Sequence, residues 1–168
     1  MARANTIIGD IFSVELEGGK KKYFQYVGND QTQLNSDVIR AFKRIYSLDA
    51  KPDISEIVSD DIDFYAHCVT KFGIKMKLWE KVGNTADVGH LNQVLFRESQ
   101  DYGRKPGEAP VLLSHDWYVW RANDSDFTKV GQLKGENTKA YVGLVFNPYG
   151  IVELLKGNKY PINYPEYE

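Results

Sequence analysis

Three histidines, one cysteine and a run of carboxylates are the residues of this sequence that chemistry could use. His67, His90 and His115 stand far apart, and none has a second histidine three or four residues away, the spacing that sets two metal ligands on one helical face. His67-Cys68 carries a thiol nucleophile and a base, yet neighbours in a strand point to opposite faces and cannot share the required hydrogen bond. A single cysteine builds neither an internal disulfide nor a thiolate zinc site within one chain, and Cys68 reads as a small core residue. Gly18-Gly19 is followed by lysines and a strand-like run, where a phosphate loop requires a helix N-terminus. Asp60-Asp61-Ile62-Asp63 lacks the spaced oxygen donors and distal glutamate of a calcium loop. The sequence therefore predicts no catalytic residue, no cofactor and no metal, and a protein that is not an enzyme.

What remains are groups suited to binding. Asp53, Glu56, Asp60, Asp61 and Asp63 fall within eleven residues without an intervening Lys or Arg. Local charge of this kind can steer a basic partner even when net charge is small. Trp79, Trp117 and Trp120 are candidate anchors for a partner, although Trp117 and Trp120 fall on opposite faces of any strand holding both, which places at least one of them in the core. Lys20-Lys21-Lys22 beside Tyr23 and Tyr26 superficially has the composition of a nucleic-acid platform, but three lysines at a hairpin turn more often keep an edge soluble and unpaired, and that is the stronger reading. The formal net charge of −2 over 168 residues leaves no global positive field for a polyanion, so nucleic acid is not the expected partner.

The elements that position these groups read as mostly β. Phe12, Val14 and Leu16 alternate with polar neighbours, Glu17-Gly18-Gly19 intervenes, and Lys22 to Val27 resumes, which predicts a hairpin over Gly9 to Gly28. Val38 to Tyr46 fits a helical or a strand face equally well. Pro52-Asp53 opens a short acidic helix. Ile62 to Cys68 alternates strictly, and the alternation runs on past Gly73 through Ile74, Met76 and Leu78, predicting half-buried strands. Asp101 to Pro110 reads as an exposed loop, while Trp117–Trp120, Lys129–Leu133 and Tyr141–Phe146 read as further strands. Asn147-Pro148 opens a last helix that Gly157 closes. A single domain over 1–168 is expected, with its core in 7–157 and an extended surface tail over 158–168. The lone cysteine fits a reducing compartment. No apolar run reaches the ~20 residues of a membrane span or resembles a signal peptide, so a cytoplasmic, membrane-independent protein is expected.

Gly9-Asp10-Ile11-Phe12-Ser13-Val14, Pro52-Asp53-Ile54-Ser55-Glu56-Ile57, Leu78-Trp79-Glu80-Lys81-Val82-Gly83-Asn84 and Val142 to Pro148 with Ile151 to Leu155 together resemble the immunity protein 26 family of bacterial polymorphic-toxin systems. That resemblance implies a mostly β fold, a strand at Val38–Tyr46, and neutralisation of a cognate toxin protein by stoichiometric binding. The fold expected is α+β and mostly β: a twisted antiparallel sheet or a small SH3-like, partly open barrel, with one short acidic helix and a C-terminal helix. Two alternatives stay open. One is a small β-barrel RNA-binding or RNA-cleaving protein using Arg40, Lys43 and Arg44 as exposed cations. The other is a non-catalytic protein-interaction domain of another role.

Overall fold

The computed structural model describes residues 4–102 and 105–168. Strands β1 (Asp10–Leu16) and β2 (Lys20–Asp30) form the expected hairpin, with Leu16 opposite Lys20. Its turn glycines Gly18 and Gly19 take φ of 78° and 69°, left-handed values that only glycine adopts without cost. Strand β3 (Ser36–Phe42) pairs antiparallel with β2. This settles the ambiguous segment as strand as far as Phe42, after which the short β4 (Tyr46–Ser47) returns to the start of β2. Helix α1 (Ile54–Val58) follows, then β5 (Ile62–Cys68), antiparallel to β3.

Past Cys68 the structure departs from the alternation. Thr70–Lys75 is helix α2, and only Glu80–Asn84 is strand, β6. Two residues distant in sequence account for this. The Asp37 carboxylate on β3 accepts from the Thr70 backbone N–H at 2.8 Å and its hydroxyl at 2.7 Å, which starts a helix there. Gly73 then sits against the Trp79 indole so closely that a Cβ would fall 2.0 Å from the ring. Ile74 and Leu78 are four apart and satisfy a helical face as well as a strand face, so the short window could not distinguish the two periods.

The second half contributes β7 (Leu95–Ser99), β8 (Trp117–Arg121), β9 (Thr128–Gly131), β10 (Tyr141–Val142), β11 (Val145–Phe146) and helix α3 (Pro148–Leu155). One sheet runs β11-β5-β3-β2-β1-β6, with β4 beside β2, and the other runs β10-β7-β8-β9. Both are open, so the barrel alternative does not hold, and both are mixed rather than antiparallel. The pairs β10 with β7 and β11 with β5 are parallel. The single strand expected over 141–146 is thus divided between two sheets. Gly143 makes the crossing, donating to the Arg97 carbonyl at 2.7 Å, where a Cβ would lie 2.1 Å from the Trp120 ring.

The first sheet is covered on both faces, which is why its central strands bury residues of both parities. Phe12, Phe24, Ile39, Ala66 and Cys68 pack under α3 and Trp79. On the reverse face Ile11, Tyr23 and Phe42 lie under Ile57 of α1, while Val27 and Val38 meet Phe96 and Trp120 of the second sheet. Asn147 caps α3 by accepting from the Gly150 N–H at 2.8 Å, and Gly157 leaves it with φ 87°. The segment read as a surface tail does more than lie on the surface. Tyr164 is buried with Trp117, Leu133 and Ala140, and the Ser114 and Glu166 backbones exchange hydrogen bonds with 166 and 112 at 3.0 and 2.9 Å. Of the expected Asp101 to Pro110 loop, Gly103 and Arg104 lie outside the described residues.

Gly143→Ala should cost about 1–3 kcal/mol, the usual range for overpacking, because the new methyl must displace Trp120 or part the two sheets. Urea denaturation should show this as a lowered midpoint with an unchanged slope.

Candidate functional site

Helix α1 has five residues, too short to hold itself together, and buried Ile57 anchors it to the sheet. Ile54 reaches across to β6, where its Cδ1 would lie 2.5 Å from a Cβ on Gly83. With these two side chains turned inward, Asp53, Glu56 and Asp61 are exposed, while Asp60 and Asp63 are half-buried. Three of the five carboxylates are engaged locally. Arg44 Nη1 binds Glu56 at 2.9 Å, the Arg44 backbone N–H donates to Asp60 at 2.6 Å, and Lys22 Nζ pairs with Asp63 at 2.8 Å. The side chains of Asp53 and Asp61 make no hydrogen bond or ion pair among the described residues.

Beside this acidic face runs a groove of about 420 Å³ between β2, β4, α1 and β6, floored by Tyr23, Ile54 and Ile57 and walled by Leu48 and Val82. Leu48 and Val82 are each 43% exposed, unusually open for aliphatic side chains flanking a cleft. Lys21, Lys51 and Glu80 are the charged residues of the groove wall, and Lys21 is held within the fold. Its ammonium donates to the carbonyls of Leu48 and Ala50 at 3.0 and 2.5 Å. With Lys22 tied to Asp63, the lysine run read as an edge protector has two of its three members bound within the fold. An apolar centre with a charged rim is the usual anatomy of a protein-binding surface.

The three tryptophans are elsewhere. Trp79, Trp117 and Trp120 are 4%, 0% and 3% exposed, and each indole N–H is satisfied internally: by the Thr70 carbonyl, the Ser114 carbonyl and Asp30 Oδ2. Their candidacy as surface anchors is corrected by burial. Strand β8 lies between two packed layers, so both of its faces are inside. Arg40, expected as an exposed cation, is also buried. It donates through Nε to Gln25 and through Nη2 to the Asp87 carbonyl, both at 2.9 Å. Of the three cations the RNA-directed alternative used, Lys43 and Arg44 remain at the surface.

The groups with shifted titration are enclosed. His67 is fully buried, and its Nε2 meets Asp30 at 2.9 Å. Burial holds its pKa below the ordinary value, which keeps the ring neutral. With Nδ1 lacking any partner, we assign the proton to Nε2, donating to the carboxylate. Cys68 faces the opposite side of β5, its thiol pushed up to about 12 by burial, and the two do not form a nucleophile pair. His90 and His115 are exposed. Glu98 on β7 is 7% exposed, and burial raises it to about 7 against one backbone N–H from Ser99 at 2.7 Å. Ser99, Ser114 and Asp101 close the neck of the loop between β7 and β8 through hydroxyl bonds of 2.6 and 2.7 Å. Neither the Asp30–His67–Trp120 triad nor Glu98 was visible in the sequence. Their partners lie 37 and 90 residues from Asp30, and no motif spacing encodes such a meeting. No group of three or more His, Cys, Asp or Glu among the described residues could hold a metal ion, and no described helix is long and apolar enough to cross a membrane.

Among the described residues, two open mixed sheets and three short helices form a mostly β protein with a groove next to an acidic face. Its residues 7–105 match the family model of immunity protein 26, more than half of the chain, and the protein belongs to that family. No curated protein and no solved structure gives a match.

Glu98 supplies a pH signature. Its folded-state pKa lies above the ordinary value of 4.5, so folding retains a proton that the unfolded chain has released. Stability should therefore fall as pH rises from about 4.5 to 7 and level off above that, by an amount on the order of 3 kcal/mol. His67, with its lowered pKa, works in the opposite direction by losing stability below its ordinary pKa. The difference between wild type and Glu98→Gln isolates the carboxyl, and chemical denaturation at pH 5 and pH 8 should show a larger gain for the variant at pH 8.

Proposed function

We propose that this protein neutralises a cognate bacterial toxin by stoichiometric binding in the cytoplasm, acting through its surface and not as an enzyme. Membership of the immunity protein 26 family carries the reading. The surface we assign to the toxin is the groove between α1 and β6, with Leu48 and Val82 at its walls and the acidic residues 53–63 beside it. Asp53 and Asp61 are the charges that would act at a distance, because Glu56 and Asp63 already answer cations of this chain and Asp60 accepts from the Arg44 backbone N–H. A toxin with a basic contact face fits this rim. Encounter would be accelerated by the field and affinity supplied by the apolar floor.

Two measurements separate the parts of this reading. Co-expression with the toxin encoded beside the gene should rescue growth, and failure to rescue or to co-purify at equal stoichiometry rejects immunity. Asp53→Lys with Asp61→Lys should lower the association rate by roughly tenfold at low salt and flatten its salt dependence, leaving the dissociation rate nearly unchanged. Unaltered association kinetics in a folded double variant would place the contact surface elsewhere.

A further inference from the structure

Strand β6 ends the first sheet, and among the described residues its only strand neighbour is β1. Its outer row of backbone N–H and C=O groups is therefore unpaired, with Glu80, Lys81, Val82 and Asn84 exposed and Gly83 half-buried. Such a row is complementary to another extended backbone. Cavities open on both faces of this edge. On the α1 face lies the groove already described, to which Val82 contributes a wall. On the opposite face, between β1, α2 and α3, a larger cavity of about 550 Å³ is floored by Ile74, Leu78, Trp79 and Val152, with Lys77 and Lys81 at its side. Successive residues of β6 thus border different cavities, Lys81 one and Val82 the other, and Glu80 borders both. A strand laid against β6 has the same period of two, so its side chains would enter the two cavities in turn. A small ligand would fill only one.

The charges around the edge select against a second copy of this chain. Pairing two β6 strands antiparallel about a two-fold axis joins the sheets with like faces on the same side, setting α1 against α1 and α2 against α2. Helix α1 stands close to the edge, since Ile54 already reaches Gly83. The carboxylates of Asp53 and Asp61 would then face their own kind. So would the exposed Lys71, Lys75 and Lys77 in and after α2, which form no ion pair among the described residues. Like charges so placed repel, and a partner of different sequence escapes this.

We propose that the toxin partner contributes an extended segment that adds to β6 as a further strand of the first sheet. Its alternate side chains are basic towards the acidic α1 face and apolar towards the floor of Ile74, Leu78, Trp79 and Val152. Backbone pairing holds the segment in line, and the two cavities read its alternation. This rests on the neutralisation reading for the identity of the partner, but the edge itself is tested without the toxin.

The probe is a short synthetic peptide alternating lysine and leucine, titrated into isotope-labelled protein and followed by NMR. Saturable shifts are expected at the amides of 80–84 and the methyls of Ile74, Leu78 and Val152, with amide exchange over 80–84 slowed roughly tenfold or more in the saturated complex. N-methylation of alternate residues removes the donors along one side of the peptide. Methylating one set should weaken binding roughly thirtyfold, the worth of two net hydrogen bonds, and methylating the other set should leave it nearly unchanged. Docking through side chains alone would not produce that difference. Shifts that fail to saturate or lie away from β6, or equal affinity for the parent and both methylated peptides, overturn the proposal. Toxin binding that leaves exchange at 80–84 unchanged also overturns it, with neutralisation intact. Peptide addition at β6 without any toxin binding would instead remove the neutralisation reading and leave the edge as a site of strand addition.

Discussion

One buried carboxylate holds the two sheets in register. Asp30, at the end of β2, is wholly enclosed, and its Oδ2 accepts from His67 on β5 and from the Trp120 indole on β8. Its Oδ1 accepts from the Gln33 and Asn123 backbones at 3.3 Å and from the Thr32 hydroxyl at 3.4 Å. Burial alone would force the proton on, yet the converging donors hold its pKa below the ordinary value. An ion taken out of water with no such partners costs several kcal/mol, so only one placement of the second sheet satisfies it. The second sheet lies against the first there, with Trp120 packed beside Val27, Val38 and Phe96.

The same rule of local satisfaction shapes the outer surface. Arg44, Lys22 and Lys81 each answer a carboxylate of this chain, and Lys21 answers two carbonyls. Asp53 and Asp61, beside the groove, have no such partner among the described residues. The exposed edge strand β6 carries charged residues and a register shift opposite Ile11 and Phe12, both of which discourage edge-to-edge pairing with another copy.

The sequence made legible those elements whose cause is local. The β1–β2 hairpin follows from two glycines able to take positive φ, β5 from strict alternation, and α3 from its Asn-Pro start and glycine exit. Elements fixed by distant partners were misread. Thr70 begins a helix because Asp37 is waiting for its N–H, and Tyr141–Phe146 is divided because Trp120 leaves room only for a glycine. The tryptophans were misjudged for a related reason: a strand covered on both faces hides residues of either parity, and coverage by a second sheet is not written in the strand itself. Of the candidate site, the acidic run was visible. The groove, Glu98 and the cavity on the other face of β6, assembled from segments far apart in the chain, were not.

The involvement of Tyr164 and of residues 112–114 with 166 has a consequence for biosynthesis. The first sheet lacks its edge strand β11 until residue 146 has been made, and the second lacks an interior residue until 164 has left the ribosome. Each sheet therefore completes its packing only after segments far along the chain have been made.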